Sequence, residues 1–142
     1  MYQKLPIMLN KTFRLTSLSV VFALFLGSCG NAQQSGGVIE NANVSAFEQG
    51  MYGENVILLD VRTPKEVAQG YIEGAEVMDF YASDFDSKLK TLDPEKAVYV
   101  YCRSGGRSYK TAEKLAAMGF KKVVNLDGGI GAWNGAGKPT VK

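Results

Sequence analysis

The sequence contains no histidine and only two cysteines, Cys29 and Cys102, among its 142 residues. Without histidine there is no Cys-His couple, so a reactive thiol must be activated by other means. The acidic residues between positions 79 and 93 are scattered and lack the tight spacing of a ligand set. Transition-metal sites rely on cysteine and histidine ligands at short spacing. Neither a metal site nor another cofactor is predicted.

Excess charge of one sign is also missing once the N-terminal segment is set aside. The formal net charge of +2 comes from 16 basic and 14 acidic residues. Three of the bases, Lys4, Lys11 and Arg14, lie in the first 28 residues, where there is no acid. The other 13 bases therefore face 14 acids. A nearly neutral remainder argues against nucleic acid or another polyanion as a partner.

The one long apolar run has the anatomy of an export signal. Basic residues precede the stretch from Leu15 to Gly27, LTSLSVVFALFLG. This stretch is shorter than the ~20 apolar residues that a membrane-spanning helix needs, and it fits the central region of a secretory signal peptide. Translation from Met1 and translation from Met8 both give such a signal. Residues 1–28 are predicted to be a processed segment outside the fold.

The segment closes with Leu26-Gly27-Ser28-Cys29, which resembles the lipobox of bacterial lipoproteins. The resemblance implies that Cys29 becomes the lipidated first residue of the mature protein. Several acyl chains would anchor it stably, at about 0.8 kcal/mol per buried CH₂ group. Secretion without lipid, or a chance cysteine, is the alternative. The absence of an acid in the following GNAQQ favours an exported, periplasm-facing anchor in the cell envelope.

The residues after Cys29 are small and polar and lack apolar periodicity, so residues 29–37 are predicted to form a flexible tether. One folded domain is predicted over residues 38–142. In an exported protein, cysteines usually pair. If Cys29 carries lipid, Cys102 has no partner within the chain and remains a free thiol. A buried, inert cysteine is the structural alternative.

Apolar runs alternate with helix-like patterns along the domain. Strands are predicted at 56–61, 97–101 and 123–126, and helices at 44–51, 63–69, 83–91 and 108–118. Continuous apolar strands alternating with helices indicate an α/β domain with a mainly parallel central sheet flanked by helices. Phe120 and Trp133 are assigned to the core.

Cys102 directly follows the second of these strands, in the segment YCRSGGRS. Ligands of parallel α/β sheets collect beyond the carboxyl ends of the strands. The unpaired N–H groups of the following helix and the glycines Gly105 and Gly106 would let the loop surround an anion. Together with Arg103 and Arg107, this arrangement favours thiolate over thiol. The loop is predicted to activate the cysteine without histidine.

Three segments then resemble one family in the same order. CRSGGRS resembles the active-site loop of single-domain rhodaneses, the thiosulfate and persulfide sulfurtransferases. The stretch from Leu58 to Phe80, LLDVRTPKEVAQGYIEGAEVMDF, resembles the upstream signature of that family. The stretch from Val123 to Pro139, VVNLDGGIGAWNGAGKP, resembles its closing segment. Tyr71 stands where the family usually has histidine, and Gly106 stands where many members carry another small residue.

The resemblance implies a covalent, two-stage sulfur transfer through Cys102. A donor such as thiosulfate would leave its outer sulfur on Cys102 as a persulfide, and cyanide or a thiol would remove it. Asp60 and Arg62 are expected to support the loop as a buried or half-buried pair. The residues expected to bind the donor or the persulfide are Arg103, Ser104, Gly105, Gly106, Arg107 and Ser108, with helix capping as the alternative role of Ser108.

Two other functions remain open at this stage. A phosphatase or arsenate reductase of the cysteine-loop kind also binds an oxyanion. The tyrosine-phosphatase loop, however, needs arginine six positions after its cysteine, and that position is Ser108 here. The other alternative is a non-enzymatic sulfur carrier, which accepts a persulfide sulfur and passes it to a partner without turnover on free thiosulfate.

Overall fold

The computed structural model describes residues 36–142. The expected signal segment, Cys29 and residues 29–35 of the expected tether lie outside the described residues. Within the described part, no helix is long and apolar enough to cross a membrane.

Five strands form one parallel sheet in the order β1-β5-β4-β2-β3. The strands are β1 (Val38–Ala42), β2 (Val56–Asp60), β3 (Glu76–Val77), β4 (Ala97–Tyr101) and β5 (Lys122–Leu126). The three strands predicted from apolar runs are β2, β4 and β5, which occupy the interior of the sheet. The edge strands β1 and β3 were not predicted. The α/β class with a parallel sheet is confirmed.

Within residues 36–142, five helices connect and flank the strands. They are α1 (Val44–Gly50), α2 (Pro64–Val67), α3 (Phe85–Leu89), α4 (Gly106–Ala117) and α5 (Gly129–Gly135). The helix α2 begins with a capping box, in which the side chains and backbones of Thr63 and Glu66 bond reciprocally. The helix α4 begins two residues before the predicted start. The helix α5 was not predicted, because three of its seven residues are glycine.

Apolar side chains fill both faces of the sheet. On one face, Leu115 of α4 and Leu89 of α3 pack with Val98 and Val100 of β4. On the other face, the buried cluster combines Phe47 of α1 and Trp133 of α5 with strand residues. The two faces explain the continuous apolar character of the interior strands. Phe120 and Trp133 lie in the core, as predicted.

Candidate active site

Cys102 follows the last residue of β4, the central strand of the sheet, and α4 begins four residues later. The turn between them requires Gly105, which has a φ of +97° and occupies the N-cap position of α4. Gly106 is the first residue of that helix, and a Cβ atom there would meet nothing within 4 Å. The sequence therefore places the cysteine at the carboxyl edge of the sheet, facing a helix N-terminus.

The Cys102 side chain is buried, with only 1% of its surface exposed. Its Sγ atom accepts a hydrogen bond from the Gly105 amide at 3.2 Å and another from the Ser108 hydroxyl at 3.4 Å. The burial is what a buried, inert cysteine would show. The two hydrogen-bond donors argue against inertness, because an inert apolar cysteine would not be surrounded by donors aimed at its sulfur.

These contacts set the protonation of the thiol. Burial raises the pKa of Cys102, because it disfavours the charged thiolate. Hydrogen bonds from the Ser108 hydroxyl and from the amides of Ser108, Ser104 and Gly105 outweigh burial, so the net pKa is lowered. The lowered pKa agrees in direction with the sequence prediction. The largest contribution that lowers this pKa comes from the Ser108 hydroxyl rather than from Arg103 and Arg107.

Ser108 does not cap the helix. It is the third residue of α4, and the single proton of its hydroxyl is shared between two acceptors, the Gly105 carbonyl at 3.0 Å and Sγ at 3.4 Å. Its side chain is fully buried. The capping alternative from the sequence is therefore wrong, and Ser108 lines the sulfur instead.

Arg107 is paired with the carboxylate of Glu66. It donates to Glu66 through two bonds, Nη1 to Oε2 at 2.9 Å and Nη2 to Oε1 at 2.6 Å. Its guanidinium also lies over the Tyr81 ring, 5.6 Å from the centroid. That Arg107 orients the donor stays a prediction, and a donor anion would have to share this guanidinium with Glu66.

Glu66 was quoted in the family signature but not assigned to the site. Its carboxylate accepts bonds from the Thr63 amide and hydroxyl as well as from Arg107. The bonds from Arg107 are the main reason why the pKa of Glu66 falls to about 2. The signal that could have identified it is the capping box in TPKE, which fixes Glu66 at the start of a helix.

Asp60 and Arg62 form the expected buried pair, with Nε to Oδ1 at 2.9 Å and Nη2 to Oδ2 at 2.6 Å. Arg62 also donates to the Gly70 carbonyl at 2.9 Å, and its guanidinium lies 5.6 Å from the centre of the Tyr101 ring. The pair thus fixes the chain after β2 and packs against the residue before Cys102. Within residues 36–142, no hydrogen bond joins the side chains of this pair to the loop from Cys102 to Ser108, so its support of the loop acts through packing.

The direct support comes from the start of α5, which the sequence analysis left out of the site. The Ile130 amide donates to the Cys102 carbonyl at 2.9 Å, and the Gly131 amide donates to the Arg103 carbonyl at 3.1 Å. A Cβ atom on Gly129 would lie 2.4 Å from the Cys102 carbonyl oxygen. The glycine pair in NLDGG was the available signal, because only glycine permits this approach.

Arg103 and Ser104 lie on the outer side of the loop, and both are exposed. No carboxylate of residues 36–142 pairs with Arg103. Arg103 is therefore the cation of the loop that is free to meet an anion. The same described range contains no group of three or more potential metal ligands.

The fold and the site define a class: a parallel α/β domain that holds a hydrogen-bonded cysteine at the carboxyl edge of its central strand. A family model described as a rhodanese-like domain matches residues 43–136. The chain belongs to the rhodanese-like domain family.

Similar proteins carry names from sulfur chemistry. The chain is 40% identical over 88 residues to a sulfurtransferase of Allochromatium vinosum, covering 62% of this chain and 80% of that protein. It is 42% identical over 86 residues to a putative sulfurtransferase of Bacillus subtilis, covering 61% and 81%. A putative sulfur carrier protein of Bacillus subtilis is 28% identical over 106 residues, covering 74% and 56%.

Solved structures share the fold. A rhodanese-related protein from Thermoplasma volcanium matches with a TM-score of 0.63 at 29% identity, covering 72% of this chain and 97% of that one. The family and the sulfurtransferase relatives together support sulfur transfer as the general function of this domain.

Proposed function

We propose that the protein transfers a sulfane sulfur from thiosulfate or a persulfide donor, through a persulfide on Cys102, to a thiophilic acceptor. The observation that carries the proposal is the surroundings of Sγ. The Gly105 amide and the Ser108 hydroxyl donate to it in a chain that has no histidine to act as a base. Such a sulfur can act as a thiolate nucleophile at neutral pH.

In the first stage, the Cys102 thiolate attacks the outer sulfur of thiosulfate. A bond forms between Sγ and that sulfur, the S–S bond of the donor breaks, and its electron pair leaves with sulfite. The persulfide carries one negative charge on its outer sulfur, and the unpaired amides at the N-terminus of α4, which follow the loop, would stabilise it. Arg103, which is exposed and has no ion-pair partner in the described range, attracts the anionic donor.

In the second stage, cyanide or a thiolate attacks the outer sulfur of the persulfide. The new bond joins the acceptor to that sulfur, and the electrons of the broken bond return to Sγ as thiolate. No net oxidation occurs, so no redox cofactor is needed. Because Cys102 is 1% exposed, the nucleophile is shielded from bulk water between the two stages.

A lipid anchor on Cys29 is the second part of the proposal. It is supported by the apolar segment and the lipobox-like LGSC. The anchor would hold the domain at the periplasmic side of the cell envelope. Metabolic labelling with an alkyne fatty acid in a bacterial host tests it: the wild type should become labelled, and a Cys29→Ser variant should not. Labelling of both, or of neither, argues against the anchor.

A sulfur carrier is the alternative function, and one observation favours it. One relative is named a putative sulfur carrier protein. A carrier would accept one sulfur atom and stop without its partner. Steady-state assays with cyanide and with several thiols separate the two functions, because only an enzyme turns over repeatedly.

Intact mass spectrometry of the protein tests the chemistry, beside a Cys102→Ser control. The reduced wild type should gain one sulfur atom from thiosulfate and lose it to cyanide as thiocyanate, whereas the control should gain none. If the wild type gains no sulfur while its thiol reacts with iodoacetamide at neutral pH, the proposal fails. Reduction or hydrolysis of an oxyanion then becomes the better hypothesis.

A further inference from the structure

The chain enters the described domain at the amino edge of the sheet, the surface from which the strands start. The amino edge comprises residues 36–38, 51–55, 90–96 and 118–121, which begin β1 or precede β2, β4 and β5. The Val38 amide donates to the Lys121 carbonyl at 3.0 Å. Gly37 lies so close to the Phe120 carbonyl that a Cβ atom would overlap it. Because Cys102 follows a strand, its loop lies at the opposite, carboxyl edge.

An apolar groove of about 250 Å³ lies on the amino edge, between the connections that precede β4 and β5. Its apolar lining consists of Leu92, Pro94, Met118 and Phe120. Lys90 also borders the groove. A lysine can lay its methylene groups along apolar surface while its ammonium stays with water or with lipid headgroups. The groove therefore suits an apolar surface that ends at a polar boundary.

Two large apolar side chains are exposed on the amino edge, Val38 at 59% and Tyr52 at 67%. Val38 begins β1 and Tyr52 precedes β2, so the strand order places the groove between them. A tyrosine ring with its hydroxyl suits a boundary between hydrocarbon and water. The edge thus presents a row of apolar groups rather than one isolated side chain.

The charges of the amino edge are balanced. Lys121 pairs with Glu95 at the surface. The remaining charged residues of the edge are the basic Lys90 and Lys96 and the acidic Glu54 and Asp93. A surface without net charge gains little from a polyanion. Its partner should therefore be recognised by apolar contact.

The length of chain before the domain limits what this edge can meet. Cys29, the proposed site of the lipid, lies eight residues before Gly37, and eight residues span at most about 29 Å when fully extended. A domain of this size is roughly 30 Å across. Turning the carboxyl edge to the bilayer would need an almost fully extended connection, whereas the amino edge reaches the bilayer without one. So short a connection also gives an effective concentration in about the millimolar range, so weak contacts are enough.

We infer that the amino edge, through Val38, Tyr52 and the groove beside Met118, rests on the phospholipid surface to which Cys29 anchors the chain. The inference rests on the lipid anchor of the proposed function and goes beyond it, because it names the end of the domain that faces the membrane. The Cys102 loop, at the opposite edge, then faces away from the bilayer and stays open to soluble donors and acceptors.

Hydroxyl-radical footprinting of the lipidated full chain in phosphatidylcholine vesicles tests the inference with a matched pair of tyrosines. Tyr52 lies on the amino edge, and Tyr81 lies beyond β3 at the carboxyl edge. Their exposed fractions are similar, 67% and 70%. Contact with the headgroup region should lower the oxidation rate of Tyr52 at least about threefold below that of Tyr81. Equal rates overturn the inference.

Two exposed valines provide matched variants. Val38 begins β1 at the amino edge, and Val77 ends β3 at the carboxyl edge. A carboxylate at position 38 opposes contact with the bilayer, so Val38→Glu should bring the oxidation rate of Tyr52 back toward that of Tyr81. Val77→Glu should leave the difference unchanged. The same response in both variants overturns the inference.

A second copy of the chain is the other surface that could cover the amino edge. Protection of Tyr52 should persist when the protein is diluted about tenfold within the vesicles, because contact between copies falls with concentration. Loss of protection on dilution overturns the inference. Failure of the proposed anchor is seen separately, as an intact mass without lipid on Cys29, and it removes the inference as well. Failure of sulfur transfer at Cys102 would leave the protection of Tyr52 unaffected.

Discussion

The cysteine loop is surrounded by two regions of different character. The buried support consists of Asp60, Arg62, Ser108 and Gly129, and all four residues are buried. The rim consists of Arg103, Ser104, Glu66 and Arg107, which are exposed or half-buried. Polar groups of the support are enclosed with their partners, so removing one leaves another unsatisfied. Charges of the rim remain in contact with water, which screens them. The support should therefore control stability and thiol protonation, and the rim should respond to pH and ligand.

The largest effect should follow from Asp60→Ala. This variant leaves the Arg62 guanidinium, 4% exposed, without its carboxylate. Removing one partner of a buried pair costs about 3–5 kcal/mol of unfolding free energy. Urea denaturation followed by circular dichroism measures the loss. Glu95→Ala, which removes an exposed partner of Lys121, should leave the midpoint nearly unchanged. If the two variants had equal urea midpoints, the buried support would contribute no more to stability than an exposed ion pair does.

Gly129→Ala should be the next most damaging change in the support. The new Cβ would approach the Cys102 carbonyl oxygen to 2.4 Å, and Gly129 has a φ of +56°. Overpacking of this kind costs about 1–3 kcal/mol, and here it would also displace the cysteine. The midpoint temperature of thermal unfolding and the rate of sulfur loading should both fall.

Gly135→Ala is the control for that prediction, because it lies in the same helix and a Cβ atom there meets nothing within 4 Å. It should be neutral or stabilising, by up to about 1 kcal/mol. A similar loss in Gly135→Ala would show that an added methyl group anywhere in α5 destabilises the fold, and that the contact of Gly129 with the loop is not the cause.

Ser108→Ala tests whether the support also sets thiol protonation. The variant loses the hydroxyl that donates to Sγ, so the pKa of Cys102 should rise. Less thiolate is then present below the pKa, and alkylation by iodoacetamide at pH 6 should slow roughly three- to tenfold, as expected for the loss of one hydrogen bond of ordinary strength, about 0.7–1.4 kcal/mol. Ser83→Ala, at an exposed serine outside the loop, is the control. An unchanged alkylation profile in Ser108→Ala would leave the backbone amides as the activating groups.

The interior of the fold follows from the sequence more readily than its edges do. β2, β4 and β5 are apolar because both of their faces are covered, so their residue pattern alone identifies them. β1 carries the exposed polar residues Glu40 and Asn41 and, within residues 36–142, pairs with β5 alone. These polar residues interrupt the apolar run by which a strand is recognised in the sequence. β3 has two residues and too little pattern to detect.

The site likewise has one part that local sequence predicts and another part that depends on tertiary structure. The position of Cys102 and the need for Gly105 follow from local sequence, because strand end, turn and helix start are consecutive. The bond between Glu66 and Arg107 joins residues 41 positions apart, and no local pattern encodes it. The approach of α5 to the Cys102 carbonyl likewise depends on packing across the sheet. Local sequence thus predicts the cysteine loop, whereas the partner of Arg107 depends on tertiary structure.

The smallest effect concerns the rim and appears only in acid. Arg107 holds the pKa of Glu66 at about 2, below the usual value of 4.5. Because the folded-state pKa is the lower one, the folded state gains stability from the ionised carboxylate above about pH 4.5. This gain is lost as the pH falls through about 2. In Glu66→Gln, the free energy of unfolding from urea denaturation should therefore decline less between pH 6 and pH 2.5 than it does in the wild type. The difference should be about 1 kcal/mol after solvent screening.

Glu113→Gln provides the matched control, because Glu113 is an exposed carboxylate of α4 that forms no ion pair within residues 36–142. Its acid decline should parallel that of the wild type. If Glu66→Gln also parallels the wild type, the Glu66–Arg107 pair adds nothing to folding. Arg107 would then be free to meet a donor anion in solution. If the decline is shallower as expected, Arg107 stays paired with Glu66 in solution, and Arg103 is the loop arginine without an ion-pair partner among residues 36–142.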